Sequence, residues 1–323
     1  MTQYILRRAL QAILTLLVIS VLIFGLISSV PGGIMSAYSE NPDFTQEDLA
    51  RLREKYGLND PVPVRYAKWL LNVLQGDWGN SFTSKRPALQ EISDRLPNTL
   101  LLMGSMFLVT LAIAIPLGIY SALKQYTFFD HLLTTVALAG QSLPTFWFGL
   151  LLIIIFSVLL KTPDGKPLLP SAGMMTLGQP FNLLDRLRHL ILPVSMLAVI
   201  SAASYMRYMR SSMLDVIHKD YVRTARGKGL PEKMVISRHA LRNALIPIVT
   251  LLGLDLPNLF GGALFTETIF AWPGIGRLFF DSAMKTDYPV LMAVLMVYSF
   301  LIVASNLLVD LVYTVLDPRI TLD

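Results

Sequence analysis

Cysteine is absent from this chain, so disulfides, thiolate metal centres and cysteine nucleophiles are excluded at the outset. Charge is scarce as well: Asp, Glu, Lys and Arg make up 15% of the 323 residues, against roughly 25% in an ordinary soluble domain. There are only 4 histidines, His131, His189, His218 and His239, and none sits in an HExxH pair, which excludes a zinc protease of that type. No GxxxxGK[ST] phosphate loop is present; "GKGLPEK" offers a lysine without the spacing that wraps backbone amides round a phosphate. A lone GxG, Gly274 and Gly276, follows no strand and does not make a nucleotide site. Nor does the basic content point to nucleic acid, because the cations cluster beside apolar runs without interleaved stacking aromatics.

What the chain does have is apolar length. Hydrophobic residues make up 54% of it, and the mean hydropathy is +0.56. A membrane span needs roughly 20 mostly apolar residues, and six stretches qualify: 9–30, 99–123, 132–160, 190–206, 245–264 and 290–316. The first follows Arg7 and Arg8 but is longer than the roughly 7–15 residue core of a signal peptide, so it is expected to stay as an uncleaved helix. Arg7, Arg8, Lys124 and the basic run from Arg207 to Arg242 all fall on one side, which the positive-inside rule makes cytoplasmic. The expectation is therefore an all-α integral membrane protein. It has six transmembrane helices, both termini in the cytoplasm, and a helical extracytoplasmic insertion after the first span. The regions are 1–30 (N-terminus and first span), 31–98 (the insertion) and 99–323 (a core of five spans with a cytoplasmic loop, 207–244).

Within the insertion, Thr45 and Asp48 begin "TQEDLARLREKYG" in capping-box spacing, and Gly57 can close that helix. "DPVPVRYAKWLLNVLQGDWG" predicts a second helix with Tyr66, Trp69, Leu70 and Val73 on one face. Two uses stay open for this pair: a docking surface, or helices resting on the bilayer interface. Pro116, Pro144, Pro193, Pro247 and Pro257 fall in four spans and predict broken helices of the sort found along pathways.

The loop "DYVRTARGKGLPEKMVISRHALRNAL" is too patterned for a passive connector. Tyr221, Val222 and Ala225 share a helical face, and Gly229-Leu230-Pro231 marks a break and a new helix start. Met234, Val235, Ile236 and Leu241 make the next helix apolar at its tip, flanked by cations, as if to seat in a partner's groove.

This segment resembles the EAA loop of ABC importer permeases, in which EAA, three residues, Gly, nine residues and I-x-L-P follow in order. Arg223-Thr224-Ala225 occupy the EAA positions, Gly229 the glycine, and His239-Ala240-Leu241-Arg242 the final motif, so Arg223 stands in place of Glu and Arg242 in place of Pro. "YGLNDPVPVRYAKWLLNVLQGDWGNSF" and "TETIFAWPGIGRLFFDSAMKTDYPV" are similar to segments of the dipeptide/oligopeptide/nickel permeases, of the first-permease (B) type. The resemblance implies one half of a heterodimeric pore in a bacterial inner membrane. It also implies a homologous second permease, two cytoplasmic ATPases that carry ATP and Mg, and an extracytoplasmic substrate-binding protein. The chain itself would hold no cofactor or metal and would be no enzyme. Arg223, Thr224, Ala225, Gly229, Leu230, Pro231, Arg238, His239 and Leu241 would form the coupling element that docks on an ATPase. Short peptides are the expected cargo, with nickel complexes or another small solute as the alternative.

For the path, Asp255 stands out, because a carboxylate at helix centre costs about 2.5–3.5 kcal/mol on insertion scales. Asn258 follows it, Gln141 and Ser142 sit beside Pro144, and Ser201 and Ser204 lie one turn apart. Asn306 and Asp310 share a face of the last span. Glu267, Trp272 and Arg277 are expected on the outer side as docking or gating residues, with Trp272, Phe279 and Phe280 in an aromatic belt. Two other function classes compete. An intramembrane hydrolase needs a base at the depth of its nucleophile, and every histidine falls at a span end or in the cytoplasmic loop. A secondary transporter would usually show an internal repeat, and no convincing one is seen between the halves.

Overall fold

A computed structural model describes residues 2–30, 45, 47, 59–255, 257 and 264–316, with side chains from residue 6 to residue 309. The helix expected from Thr45 falls outside the described residues apart from Thr45 and Glu47, as do Asn258 and the side chain of Asp310. Among the described residues every regular element is helical and no strand occurs. In chain order they are α1 (Thr2–Ser29), α2 (Val62–Leu74), α3 (Ala88–Leu123), α4 (Phe128–Ser142), α5 (Thr145–Leu159) and α6 (Leu183–Ile217). Then come α7 (Asp220–Gly227), α8 (Glu232–Ala244), α9 (Ile246–Asp255), α10 (Leu264–Ile269), α11 (Ile275–Met284) and α12 (Tyr288–Leu316). By length and composition α1, α3, α6 and α12 can each cross a membrane, and the bent pairs α4–α5 and α8–α9 raise the number to as many as six.

The stretch expected as the third span is not one helix. It breaks between Ser142 and Thr145 with a bend of 101°. Leu143, which precedes Pro144, is extended at ψ 130°, as clash with the proline ring demands. The same local chemistry has no such effect at Pro116 or Pro193, which lie inside α3 and α6, so the expected breaks there do not occur. Pro193 is buried in an α6 gripped by α4, α5, α8 and α9, whereas Ser142, Leu143 and Pro144 are exposed; Pro116 is exposed as well, and α3 still runs through it. The fourth span also outgrows its expected range of 190–206; Arg207 and Arg210 belong to the helix and not to the loop after it.

The chain forms two compact units. One contains Met1–Thr99, Phe260–Leu264 and Gly274–Asp323; the other contains Leu100–Leu259 and Phe265–Pro273. In the first, Ala88, Ile92, Ile275, Leu278, Val290, Ala293 and Val294 make one apolar core, and Ile23 and Phe24 meet Met292 and Met296 in another. A tight hairpin pairs Asn80 with Pro87 and is pinned by the buried Asp287 just before α12. That carboxylate accepts from Ser81 Oγ (2.5 Å) and from the amides of Phe82 (3.0 Å) and Thr83 (3.3 Å).

The second unit has its main core where α3, α4, α6, α7, α8 and α9 converge, around Met206, Met209, Met213, Val222, Ala225, Val235, Ala240, Ala244 and Ile248. Close approach is made possible by Gly118: a Cβ built there would lie 2.6 Å from Met209 Cβ and 2.8 Å from the Met206 carbonyl oxygen. Small residues at such crossings are how helices pack where lipid removes the usual hydrophobic drive. An ion pair that sequence reasoning did not find also ties this unit together. Asp130 on α4 is buried and receives Arg210 of α6 through Nε and Nη2, both at 2.7 Å, as well as the Ser121 hydroxyl of α3 and the Tyr126 amide at 3.0 Å.

Candidate functional site

Two features of the second unit carry the functional argument: a small cavity with polar groups in its lining, and the α7–α8 element. The cavity, about 190 Å³ in volume, is lined by Met106, Phe107 and Thr110 of α3, Ser201 and Tyr205 of α6, and Asp255 at the end of α9. Tyr205 donates its hydroxyl to Asp255 Oδ2 at 2.5 Å. The structure thus brings together Asp255 and Ser201, which the sequence singled out, and adds Tyr205 and Thr110, which it did not. Tyr205 looks like any aromatic in an apolar run; its four-residue step from Ser201 was the available signal.

Gln141 is hydrogen-bonded to Ser204, linking α4 to α6 one turn from the cavity lining. Ser142 instead returns its hydroxyl to the Leu138 carbonyl at 3.0 Å, a back-bond within its own helix. Asn306 is exposed. Of the proposed outer group, Trp272 is fully buried, so it is no interfacial belt residue; Phe280 is the exposed aromatic there. Glu267 is buried too, and its carbonyl accepts the Trp272 amide at 2.8 Å, so its side chain is not presented to a partner. Arg277 pairs with Asp281 at 3.6 Å along α11.

The α7–α8 element follows α6 after a short turn. Gly229 takes φ +78°, a left-handed conformation that closes α7, with its amide bonded to the Arg226 carbonyl at 2.9 Å. Pro231, whose missing N–H is harmless at a helix start, accepts from the amides of Met234 (2.8 Å) and Val235 (3.1 Å). Across this turn Arg226 forks onto Glu232 through Nη2 at 2.7 Å and Nε at 3.1 Å, and that carboxylate raises the guanidinium above its ordinary pKa. Ser212 of α6 donates to the Ala244 carbonyl at 2.7 Å, and Asn243 donates to Tyr221 Oη at 3.0 Å.

One expectation about this element is overturned. Its apolar residues do not form a tip for a partner's groove: Val222, Ala225, Val235 and Ala240 are buried, and Leu230, Ile236 and Leu241 pack around them in the chain's own core. Burial of those side chains leaves the other side polar. Tyr221, Arg223, Thr224, Lys233, Arg238, Arg242 and Asn243 are exposed, and the Arg223 side chain keeps 75% of its accessible surface. Pro231 is exposed at the turn, and His239 is half-buried between the two sides.

Set beside known proteins, residues 114–322 match the binding-protein-dependent transport system inner membrane component, and residues 1–103 match the N-terminal component of the same systems. The chain belongs to that family. The permease is 46% identical over 321 residues to an oligopeptide transport system permease protein, AppB, of Bacillus subtilis, with 99% of each chain covered. It is 38% identical over 338 residues to the dipeptide transport system permease protein DppB of Escherichia coli, again with 99% of each covered. A putative peptide permease protein of Brucella suis is 41% identical over 322 residues at the same coverage. The chain is thus a multi-pass membrane permease subunit, and the α7–α8 element lies within the matched region.

Proposed function

We propose that this permease is one half of the pore of an ATP-driven importer of short peptides, and that α7–α8 is the element through which two cytoplasmic ATPases drive it. The observation that carries the proposal is the construction of α7–α8: a compact helical pair anchored by its apolar side in the bundle, with a cationic side turned outward. The printed names of the full-length relatives support the peptide cargo. The exposed Arg223, Arg238 and Arg242 call for an acidic complement on the ATPase, with ATP and Mg held there, since this chain has no phosphate loop.

In this reading six spans cross the membrane, both termini are cytoplasmic, 31–98 is extracytoplasmic and receives a binding protein, and 207–244 faces the ATPases. Movement at α7–α8 reaches the cavity directly. Tyr205 is on α6, and Asp255 ends α9, about 15 Å from its start at the helical rise of ~1.5 Å per residue. The Asp255 carboxylate, oriented by Tyr205, provides an anionic point for a peptide's ammonium group. A volume of about 190 Å³ is below the ~300–1,000 Å³ usual for small-molecule sites, which fits a pathway completed by a second permease.

The test is peptide uptake by the complex reconstituted in proteoliposomes. ATP-dependent uptake that survives collapse of the proton gradient, and that falls at least tenfold in Asp255→Asn with assembly intact, is the expected result. Uptake driven by the gradient without ATP overturns the ATPase coupling, and unaltered uptake by Asp255→Asn removes that carboxylate from the path.

A further inference from the structure

The first unit contains a helix whose surroundings point to lipid. α2 follows Pro61, and its side chains sort into three faces. Tyr66, Trp69 and Val73 are turned toward the protein: Tyr66 and Trp69 pack on Phe24 of α1, each with ring centroids at 5.6 Å. Lys68 and Asn72 are exposed on a polar side, where Lys68 bonds Asp60 at 2.6 Å, with Arg65 at its margin over the Phe24 ring. Between them runs an apolar stripe, Val64, Ala67, Leu71 and Leu74, stepping three, four and three residues. It is exposed throughout, Leu71 at 57% and Leu74 at 75%.

The depth of α2 decides what covers that stripe. The charge-free run 9–30 of α1 has its midpoint between Ile19 and Ser20. At ~1.5 Å per residue, Ser20 lies about 1 Å and Phe24 about 7 Å from that midpoint. Both are well inside the ~15 Å half-thickness of a bilayer's hydrocarbon. These are the residues α2 touches. Ser20 is buried, gives its proton to the Leu17 carbonyl (2.7 Å), and so accepts the Tyr66 hydroxyl at 2.8 Å. A helix held at that level by a hydrogen bond to a buried serine and by two aromatic contacts does not stand off in water.

We infer that α2 is sunk into one leaflet, its Val64–Ala67–Leu71–Leu74 stripe covered by phospholipid acyl chains and its Lys68–Asn72 side turned to the headgroups. Such a helix has the protein on one flank, hydrocarbon on the second and the polar boundary on the third, and the side chains of α2 match those surroundings in that order. The element left open between a docking surface and a helix resting on the bilayer interface is on this inference a fixed part of the lipid boundary of α1. Which leaflet holds it rests on the orientation proposed above; the lipid contact does not.

Because the chain has no cysteine, single replacements report cleanly. Leu71→Cys and Leu74→Cys are spin-labelled in the assembled complex in phospholipid nanodiscs, with the identically treated wild-type complex as background. Lipid contact predicts a collision rate with molecular oxygen several-fold above that with a water-soluble nickel chelate at both positions. A dominant nickel rate, meaning water, overturns the inference, and so do low rates with both reagents, meaning that a partner protein covers the stripe. Gln75→Cys, exposed just beyond α2, tests the side separately with a membrane-impermeant maleimide read on this chain's own band. Labelling from the cytoplasmic face alone would reverse the orientation while leaving the lipid contact standing.

Discussion

Gly227 and Gly229 are two residues apart, both have open space where a Cβ would project, and they should respond in opposite ways to alanine. At Gly229 the backbone is at φ +78°, so the whole effect of Gly229→Ala is conformational. A left-handed L-residue costs roughly 1–2 kcal/mol, which corresponds to a factor of about 5–30 in the population of the closed turn. That turn sets the Arg226–Glu232 pair and the start of α8. Gly227 is the last residue of α7 and has no positive φ, so alanine there removes backbone freedom from the unfolded chain and gains up to about 1 kcal/mol. Gly229→Asn, which tolerates the left-handed region, should recover most of the loss. The assay is ATP-driven peptide uptake in proteoliposomes, with complex assembly checked by gel filtration. A several-fold fall in Gly229→Ala, wild-type uptake in Gly227→Ala and recovery in Gly229→Asn are expected. Equal behaviour of the two alanine variants, or an asparagine variant as poor as the alanine one, refutes the assignment of Gly229 to a conformational role.

Gly118→Val should lower the melting temperature of the complex, since over-packing costs typically about 1–3 kcal/mol. Met209→Ala should not restore it, because the obstructing Met209 Cβ and Met206 carbonyl both remain. Asp130→Asn leaves Arg210 without its carboxylate, and breaking a buried pair costs about 3–5 kcal/mol; the one-quarter exposure of the Arg210 side chain puts the expected loss at the lower end. Denaturation of the Asp130→Asn/Arg210→Met double variant should be milder than that of Asp130→Asn alone, and strictly additive losses would show that the two side chains are not coupled.

The parts of the fold that were legible in the sequence are those set by local chemistry. Long apolar runs marked α1, α3 and α12, and Gly229-Leu230-Pro231 marked the turn between α7 and α8, because a left-handed glycine and a helix-starting proline leave composition signals. Asp255 was legible through its insertion cost, and the structure places it on a cavity. Tertiary packing was not legible. Pro116, Pro144 and Pro193 send the same local signal, yet of the three only Pro144 ends a helix. Asp130 and Arg210 are 80 positions apart, and each alone reads as a charge at a span end. The amphipathic pattern of α7–α8 was recognised, but a pattern gives the existence of two sides and not their directions. Only the packing of α6 against Val235 and Ala240 shows that the apolar side faces inward.

That inward direction changes how the proposed coupling would work. Had the apolar residues been the docking face, engagement would bury them against an ATPase and release would re-expose them to water, at roughly 25 cal/mol per Å² of apolar surface in every cycle. Here that burial is permanent and internal, joining α7 and α8 to α6 through Met209, Met213, Val235 and the Ser212–Ala244 bond. A displacement of α8 relative to α6 would open that core, so the two should move together and carry Tyr205 with them. On that proposal the outward cations would have a different task. Solvent-exposed charge pairs are individually weak and act mainly on encounter rate and specificity, which suits a contact that must re-form and rearrange at each turnover. Arg223 in the position where the family pattern has Glu fits that division: on the proposed coupling it would alter which charge the partner must offer and leave the inner attachment through Val222 and Ala225 untouched.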